Sequence, residues 1–439
     1  MGECPDMSQI KAGVASVNIT PPWGLELSGY GFGKIRGVLD ELYAQSLFLD
    51  NGEEEVIIIT TDLIGLNREC VNNVREAIKS ETGVQKDHVL LCSSHTHSGP
   101  ATMFLRQWGK IDREYMRCCE RKLIGAAAWA SGNAAPAKIG FGKGLTGYIS
   151  YNRIWKGGPI DPEVGVLRID RHGGDMMALL INFSCHPVNL HSYGNLVSAD
   201  FPGYARRAIW RVRGDVCVLY TNGAGGDINP VGGTNNIEYA ERNGTVLGRE
   251  ALNVAEQMRT TPNADLWAKT KGIRIPLGRL PSKETLKRAH RKGTSELKRL
   301  MKNASSHRDD IGFNIAVQNA KLDIEWAEDA LMEVEKGQPE KYAPIELQAM
   351  GINNLTLVGI PGEVYVDIGL GIKGLSQSDC TFIIGYANGC IGYIPTREAY
   401  RIRAYETATR KVYGVYPFGP DVGEIVMDSA RELLRGKGH

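Results

Sequence analysis

Short apolar runs alternate with amphipathic stretches along the first three-fifths of the chain. The runs rich in apolar and β-branched residues predict strands over 56–61, 89–92, 164–169, 177–183 and 216–220. The stretches with helical spacing predict helices over 71–82, 115–131, 204–212 and 237–258. Such alternation is typical of a layered core with a largely buried sheet. We therefore predict an α/β fold in which a layered mixed sheet is flanked by helices.

The pattern changes between Ser282 and Glu335, where Lys, Arg, Glu and Ala dominate. This stretch predicts two long helices, broken near Ser305 to Gly312, that form a charged helical-hairpin insertion (282–335) in a single domain spanning 1–439. Its charges are more typical of a solvated face than of a binding patch. After it, we predict strands over 346–352 and 355–360 joined by Asn353-Asn354, a helix from 362 to 373, a strand over 380–384 and a helix over 422–434.

Composition excludes several classes of function. The chain has 439 residues, of which 42% are hydrophobic, and 51 basic against 50 acidic residues, so a nucleic-acid partner is not expected. No apolar run approaches the roughly 20 residues that cross a bilayer, so no integral membrane segment is expected. The stretch from Met1 to Lys11 lacks an export-signal pattern, and the nine cysteines show no Cys-x-x-Cys. Together these features favour a cytoplasmic protein with reduced thiols.

The stretch Leu91-Cys-Ser-Ser-His-Thr-His-Ser-Gly-Pro100 carries the strongest chemical signal. An apolar run leads directly into His95 and His97, which lie one residue apart. In extended backbone, side chains repeat with a period of two, so both imidazoles are expected to point the same way from a strand end. This arrangement fits a metal or acid/base site. The alternative is a pair of loop histidines bonded to the local backbone.

Other strands are followed by polar residues in the same manner. A strand runs into His186-Pro187, with His191 a weaker candidate in the following loop, and another runs into Pro361-Gly362-Glu363 at a predicted strand-to-helix turn. A capped structural histidine and a glutamate favoured by the helix dipole are the alternatives. A small-residue loop, 222–230, is expected to let backbone N–H groups approach a ligand. Two histidines and one glutamate form the ligand set of a catalytic zinc with an open position.

These motifs, in their order along the chain, resemble the catalytic domain of the neutral/alkaline non-lysosomal ceramidases. The resemblance extends from Gly13-Val-Ala-Ser-Val-Asn-Ile-Thr-Pro21 and Gly29-Tyr30-Gly31 to Tyr405-Glu406 and Tyr413-Gly414. Its most specific signature is Ser94-His-Thr-His-Ser-Gly-Pro100. The family consists of zinc-dependent amidases, so the resemblance implies a Zn²⁺ cofactor and cleavage of an amide bond.

The resemblance also implies a role for individual residues. The zinc ligands it implies are His95, His186, Glu363 and Tyr393. His97 corresponds to the histidine that takes a proton from the attacking water or gives one to the leaving amine. Tyr405 corresponds to the tyrosine that stabilises the oxyanion together with zinc, and Arg153 to an arginine of the substrate pocket.

Two departures from the family pattern affect the expected substrate. Ceramide-cleaving members carry a serine in Gly-Asp-x-Ser-Pro, where this chain has Gly226-Asp227-Ile228-Asn229-Pro230. Because an amide cannot act as a nucleophile, direct attack by zinc-bound water is favoured over an acyl-enzyme. Asp227 and Asn229 are predicted, with Arg153, to bind substrate. The family's C-terminal immunoglobulin-like domain is also not expected here.

The sequence therefore predicts a zinc-dependent amidohydrolase acting on a small-molecule N-acyl substrate that is smaller or more polar than ceramide. A zinc esterase or phosphoesterase and a non-catalytic binding protein on a degenerate scaffold are the alternatives, and a homo-oligomer is left open. Asp62 and Asp200 are candidates to orient a ligating histidine, with structural ion pairs as the alternative. The glycine-rich run from Gly29 to Lys34 is interpreted as a tight turn and not as a nucleotide-binding loop.

Overall fold

The computed structural model describes residues 9–29, 33–191, 193–302, 310–337 and 341–435. The strands, in chain order, are β1 (Lys11–Asn18), β2 (Gly37–Val38), β3 (Tyr43–Asp50), β4 (Glu55–Thr61), β5 (Val89–Ser93), β6 (Ala135–Leu145), β7 (Ser150–Asn152), β8 (Glu163–Arg171), β9 (Met176–Phe183), β10 (Leu196–Val197), β11 (Cys217–Asn222), β12 (Ile228–Pro230), β13 (Leu266–Pro276), β14 (Tyr342–Ile352), β15 (Leu355–Gly359), β16 (Glu363–Val364), β17 (Cys380–Ile384) and β18 (Tyr393–Ile394). The α-helices are α1 (Arg68–Thr82), α2 (Arg113–Gly132), α3 (Asp200–Arg213), α4 (Ile237–Gln257), α5 (Lys283–Met301), α6 (Ile311–Glu335), α7 (Val366–Leu375), α8 (Arg397–Arg401), α9 (Tyr405–Ala408), α10 (Arg410–Tyr413) and α11 (Val422–Arg435).

Two mixed sheets carry the fold. The larger has eight strands in the order β11-β9-β8-β6-β1-β3-β4-β5, in which β11 pairs with β9, and β4 with β5, in parallel. The smaller has the order β13-β14-β15-β17, with only the β15–β17 pair parallel. Helix α2 packs on β1 and β3 and against α1, and α4 packs on β6 and β8 and against α3. The predicted fold class, a layered mixed sheet flanked by helices, is confirmed.

A large cluster of buried side chains joins the two sheets. It contains Ile58 and Leu90 from one end of the large sheet, Leu219 from the other end, and Leu357 and Phe382 from the small sheet. Since apolar side chains from both ends of the large sheet share this core, β5 and β11 come close to each other and to the small sheet. The carboxyl ends of several strands therefore meet in one place.

The predicted helical hairpin is present as α5 and α6, which pack against each other. Ser282 caps α5 by accepting from the backbone N–H of Thr285, and Asp310 caps α6 in the same way for Phe313. The predicted break near Ser305 to Gly312 falls largely on 303–309, outside the described residues, and α6 begins at Ile311. Tyr30, Gly31 and Phe32 of the predicted tight turn also lie outside the described residues. No helix within the described ranges is long and apolar enough to cross a bilayer.

The segment after Pro361 differs from the prediction. Glu363 does not open a helix; it lies in the two-residue strand β16, which pairs in parallel with β18 so that Glu363 stands opposite Tyr393. Helix α7 starts three residues later, at Val366, whose backbone N–H donates to the Asp227 carboxylate. The sequence missed this pair because two-residue strands leave no periodic signal.

Candidate metal centre

Five chain segments that follow strands converge on one buried site. His95 follows β5, His186 follows β9, Asp227 follows β11, Glu363 follows β15, and Tyr393 follows β17. The side chains of His95, His97, His186 and Glu363 are all at most 4% exposed. The convergence of motifs at the carboxyl ends of strands agrees with the expectation from the sequence.

The local backbone at His95 is not extended, which corrects the sequence argument. His95 has a φ of 70°, in the left-handed region, so the period-two geometry expected for His95 and His97 is wrong. The two rings nevertheless meet edge to face, with Nε2 of His97 3.1 Å from Nε2 of His95. The backbone bend after β5, and not strand alternation, brings the two imidazoles together.

Backbone carbonyls orient two of the three histidines. Nδ1 of His95 lies 2.6 Å from the carbonyl oxygen of Ile64, and Nδ1 of His186 lies 2.6 Å from that of Gly225. Since a carbonyl can only accept, Nδ1 carries the proton in both rings and Nε2 presents a lone pair. This is the arrangement by which proteins orient histidine ligands for a metal.

The two Nε2 atoms face a carboxylate oxygen. Oε2 of Glu363 lies 3.0 Å from Nε2 of His186 and 3.4 Å from Nε2 of His95. Burial lowers the pKa of His186 to about 4, so its ring is neutral at pH 7. Burial raises the pKa of the Glu363 carboxyl, but the neighbouring His95 and His186 outweigh burial and bring it well below its usual range. The neutral imidazole of His186 and the ionised carboxylate of Glu363 thus face each other in the site.

His97 packs against two other aromatic rings. Its ring lies between Trp108, at 6.1 Å between ring centroids, and His191, at 4.9 Å. Burial, followed by His95, His191 and His186, brings its pKa well below the usual value. Within the part of the chain that the structure describes, Nδ1 of His97 is buried without a hydrogen-bond partner. His191, which was predicted as a weaker ligand candidate, lies beside His97.

The histidines and Glu363 do not define a unique ligand set. Nitrogen atoms of His95, His97 and His186 lie within 4.8 Å of one another and could together hold a metal ion. Glu363 faces two of these nitrogens from the other side. Either His97 or Glu363 can thus complete a set around His95 and His186.

Arg153 and Tyr393 form the opposite wall. Nη2 of Arg153 lies 3.1 Å from the Tyr393 hydroxyl, which is 3.5 Å from Nε2 of His186. Nη1 of Arg153 donates to Oδ1 of Asn229 at 3.1 Å, and its Nε donates to Glu406 at 2.8 Å. Burial and Glu363 raise the pKa of Tyr393 well above its usual value, so its phenol stays protonated in the absence of a cation.

The remaining predicted residues lie at the edges of the site. Tyr405 begins α9 at the rim, is 55% exposed, and adds a smaller contribution to the pKa of Tyr393 after burial and Glu363. Asp227 is buried beneath the site, where its oxygens accept from Val366 N at 2.8 Å and Asn152 Nδ2 at 3.0 Å. Asp227 thus caps α7, and its substrate contact stays a prediction.

The two candidates for orienting a histidine, Asp62 and Asp200, have other partners. Asp62 forms an ion pair with Arg206 at 2.7 Å, which fits the structural alternative. Asp200 accepts from the backbone N–H groups of Leu190 and Phe201. The backbone carbonyls of Ile64 and Gly225 perform the orienting role that sequence reasoning assigned to carboxylates.

The small residues of the 222–230 loop serve close packing of backbone. Gly226 donates through its N–H to the carbonyl of Val364 at 2.7 Å, and a Cβ on Gly226 would lie 2.6 Å from the carbonyl oxygen of Glu363. Asn222 at the end of β11 accepts from Cys185 N and donates to the carbonyl of Ser94. The loop thereby ties the two histidine segments and Glu363 together.

Sequence reasoning missed several side chains that contact this centre. The Tyr386 ring stacks on His95 with centroids 4.0 Å apart, and the Tyr413 hydroxyl donates to Oε1 of Glu363. Glu406 accepts from both Arg153 and the Tyr365 hydroxyl. Tyr413 and Glu406 belong to motifs that carry the family resemblance, which was the only signal for them.

Comparison with known proteins identifies the architecture. The structure matches the crystal structure of neutral ceramidase from Pseudomonas aeruginosa with a TM-score of 0.74 at 18% identity, over 98% of this chain and 75% of that chain. This chain has the neutral ceramidase fold. A solved structure of a ceramidase complexed with C2 matches with the same TM-score and coverage at 17% identity.

The sequence comparison is narrower. Neutral ceramidase A from Dictyostelium discoideum is 24% identical over 227 residues, which span 46% of this chain and only 32% of that relative. No protein-family model matches the chain. The recognised resemblance to neutral ceramidases is thus confirmed at the level of the fold.

Proposed function

We propose that this chain is a zinc-dependent hydrolase that cleaves the amide bond of an N-acyl compound smaller or more polar than ceramide. One observation carries the proposal: three electron-rich atoms face one another in a buried site. Oε2 of Glu363 lies 3.0 Å from Nε2 of His186 and 3.4 Å from Nε2 of His95. Burying such atoms against each other is unfavourable unless a cation lies between them.

The donor set favours zinc among the common cations. Imidazole nitrogen with a carboxylate oxygen is the ligand chemistry of catalytic zinc sites, whereas Mg²⁺ and Ca²⁺ prefer oxygen alone. Cys185 lies next to His186, but burial raises the pKa of its thiol well above the usual value, so it does not offer a thiolate. We propose His95, His186, Glu363 and Tyr393 as the ligands.

The proposed chemistry divides among the surrounding residues. When bound, zinc would supply a Lewis acid and lower the pKa of a coordinated water to about 7. His97 carries no positive charge at neutral pH and is placed to accept the proton of the attacking water and to deliver it to the leaving nitrogen. The hydroxyl of Tyr405, at the rim, would donate a hydrogen bond to the carbonyl oxygen of the substrate as negative charge develops there.

The polar wall supports a substrate with hydrogen-bonding groups near the scissile bond. Arg153 has five N–H groups, and its contacts with Glu406, Asn229, Gly226 and Tyr393 engage four of them. The hydrogen bonds of the described residues leave one N–H on Nη1 for a substrate. Asn229 accepts from Arg153 through its carbonyl, so it can offer its amide hydrogens to a substrate. Asn229 cannot be acylated, which favours hydrolysis without a covalent intermediate.

The structural relatives are named ceramidases, enzymes that hydrolyse an amide bond. We propose amide hydrolysis for this chain, without ceramide as the substrate. The free thiols of the cysteines in the described ranges are consistent with a reducing compartment, so we propose a cytoplasmic location as well.

Metal content of the purified chain tests the proposal. We expect about one zinc per wild-type chain and its loss in Glu363→Ala. Glu346→Ala is the matched control because that carboxylate pairs with Arg75 outside the site, at 2.6 Å. Zinc-loaded protein should then hydrolyse members of a panel of N-acyl amides and release the amine. Stoichiometric zinc with turnover of esters or phosphoesters alone would replace the amide assignment, and no zinc in the wild type would remove the metal site.

A further inference from the structure

The two oxygens of Glu363 have different partners. Oε2 faces the histidine nitrogens, whereas Oε1 accepts the hydroxyl of Tyr413. We propose that Tyr413 is a positioning residue that holds Glu363 so that a single oxygen faces the histidines, and that helix α6 of the helical hairpin holds Tyr413. This inference rests on the proposed metal site and assigns a role to a hairpin that sequence reasoning left without one.

Tyr413 is fitted closely to its place. Its ring lies edge to face with that of Tyr393, with centroids 6.4 Å apart. Gly392, just before Tyr393, has a φ of 97°, and a Cβ there would lie 2.8 Å from the Tyr413 ring. The Tyr413 hydroxyl donates a hydrogen bond to Oε1 of Glu363. The hydroxyl is thus a fixed donor aimed at Oε1.

The helix that carries Tyr413 depends on tertiary contacts. Helix α10 has only four residues, too few to be stable alone. Arg106 donates from its backbone to the carbonyl of Val412 at 2.8 Å and from its guanidinium to Asp329 of α6 at 2.7 Å. Arg106 therefore ties α10 to α6.

Two further contacts flank Tyr413. On one side Lys411 donates to Asp323 of α6, and on the other Trp326 of α6 donates to the carbonyl of Val415 at 2.9 Å. Helix α6 thus holds the chain both before and after Tyr413. Displacement of α6 would remove both of these contacts and the Arg106–Asp329 pair at once.

An apolar cluster links α6 to the histidines as well. Leu322 of α6, 2% exposed, packs in a cluster of buried side chains that also contains Ile64, Trp108, Val412 and, at its edge, Tyr413. Ile64 provides the carbonyl that accepts from His95, and Trp108 lies against the ring of His97. The Leu322 cluster therefore includes residues that contact His95, His97 and Glu363.

Paired Tyr→Phe variants test the role of the hydroxyl. Tyr413→Phe removes the donor to Glu363, and Tyr416→Phe is the matched control because its hydroxyl donates to Glu333 at 2.9 Å outside the site. We expect Tyr413→Phe to weaken zinc binding about 10- to 100-fold, measured by competition with a chromogenic chelator, and Tyr416→Phe to leave it unchanged. Equal zinc affinity in wild type and both variants would overturn the positioning role while leaving the metal site intact.

Paired Leu→Ala variants test the role of the hairpin. Leu322→Ala opens the Leu322 cluster, whereas Leu286→Ala opens a separate cluster with Ala330 and Tyr416. Both should lower the melting temperature of the metal-free protein, but only Leu322→Ala should weaken zinc binding. If both weaken zinc binding equally, the effect is general destabilisation and the inference fails. Should Leu322→Ala not fold, the Tyr413→Phe comparison decides, and absence of zinc binding by the wild type would refute the metal site and this inference together.

Discussion

The ion pair between Arg153 and Glu406 allows a quantitative test of how the polar wall of the site is held. The Glu406 side chain is 1% exposed and that of Arg153 is 19% exposed, with Nε and Oε1 2.8 Å apart. The other Glu406 oxygen accepts from the Tyr365 hydroxyl at 2.8 Å. Substituting Glu406→Gln keeps the shape of the side chain but removes the charge that faces the guanidinium.

The expected loss of stability follows from the burial of the Arg153–Glu406 ion pair. Arg153 stays protonated, because burial lowers its pKa but Tyr393 and Glu406 raise it further, to well above the usual value. Glu406→Gln therefore leaves a largely buried cation without its counter-ion. Removing one partner of such a pair costs about 3–5 kcal/mol of the free energy of unfolding. The remaining contacts of Arg153 with Gly226, Asn229 and Tyr393 persist, so we expect the lower end, about 3 kcal/mol.

A double-mutant cycle with Arg153→Met measures the coupling directly. Urea denaturation of the metal-free wild type, both single variants and the double variant should give an interaction energy of about 2 kcal/mol or more. Glu296→Gln is the control, because Glu296 pairs with Arg299 in the solvent, and its free energy of unfolding should equal that of the wild type. An interaction energy near zero would refute the view that Glu406 holds Arg153 in place.

Two further predictions concern the histidines. His97→Gln should lower kcat/KM for an amide substrate about 10²- to 10⁴-fold while retaining one zinc per chain, and loss of the zinc would instead make His97 a ligand. Because the pKa of His186 in the folded chain is about 4, below the unfolded value of about 6.5, this residue alone should cost the metal-free protein about 3 kcal/mol of stability as pH falls from 6.5 to 4. Urea denaturation at pH 7 and pH 5 checks this, and a midpoint near 6.5 for the ring in an NMR titration would contradict it.

The sequence predicts the elements that bury continuous apolar faces. Strands such as Val89–Ser93 and Met176–Phe183 are buried along almost their whole length, so their apolar runs are visible without knowledge of the fold. It does not predict strands in which polar residues interrupt the apolar run. Tyr43–Asp50 buries Gln45 and Ser46 in mid-strand, and Leu266–Pro276 is mostly half-exposed with lysine and threonine along it. Such strands form because neighbouring strands pair with them, which no local pattern records.

The candidate site divides in the same way. The types of ligand were predictable, since histidine and glutamate next to strand ends stand out against apolar runs. The geometry of the ligands was not predictable. The approach of His95 to His97 depends on the left-handed backbone of His95. The approach of Glu363 to the histidines depends on Gly226, 137 positions away, because a side chain there would collide with the Glu363 backbone. Contacts of this kind are set by the tertiary fold and by close backbone packing.

The supports of the site are the least visible in sequence, and for a physical reason. Tyr413 reaches Glu363 only because α10 is held by side chains of α6 that lie about 90 residues earlier in the chain. A helix of charged residues with a few buried positions, such as Leu322, has the same local pattern whether it stands free in solvent or supports a catalytic centre. The buried positions that face α10 distinguish the two cases, and they become apparent only once the partner helix is in place. Substitutions in α6 far from any proposed ligand are for that reason expected to change metal affinity, whereas substitutions on its solvent-facing side are not.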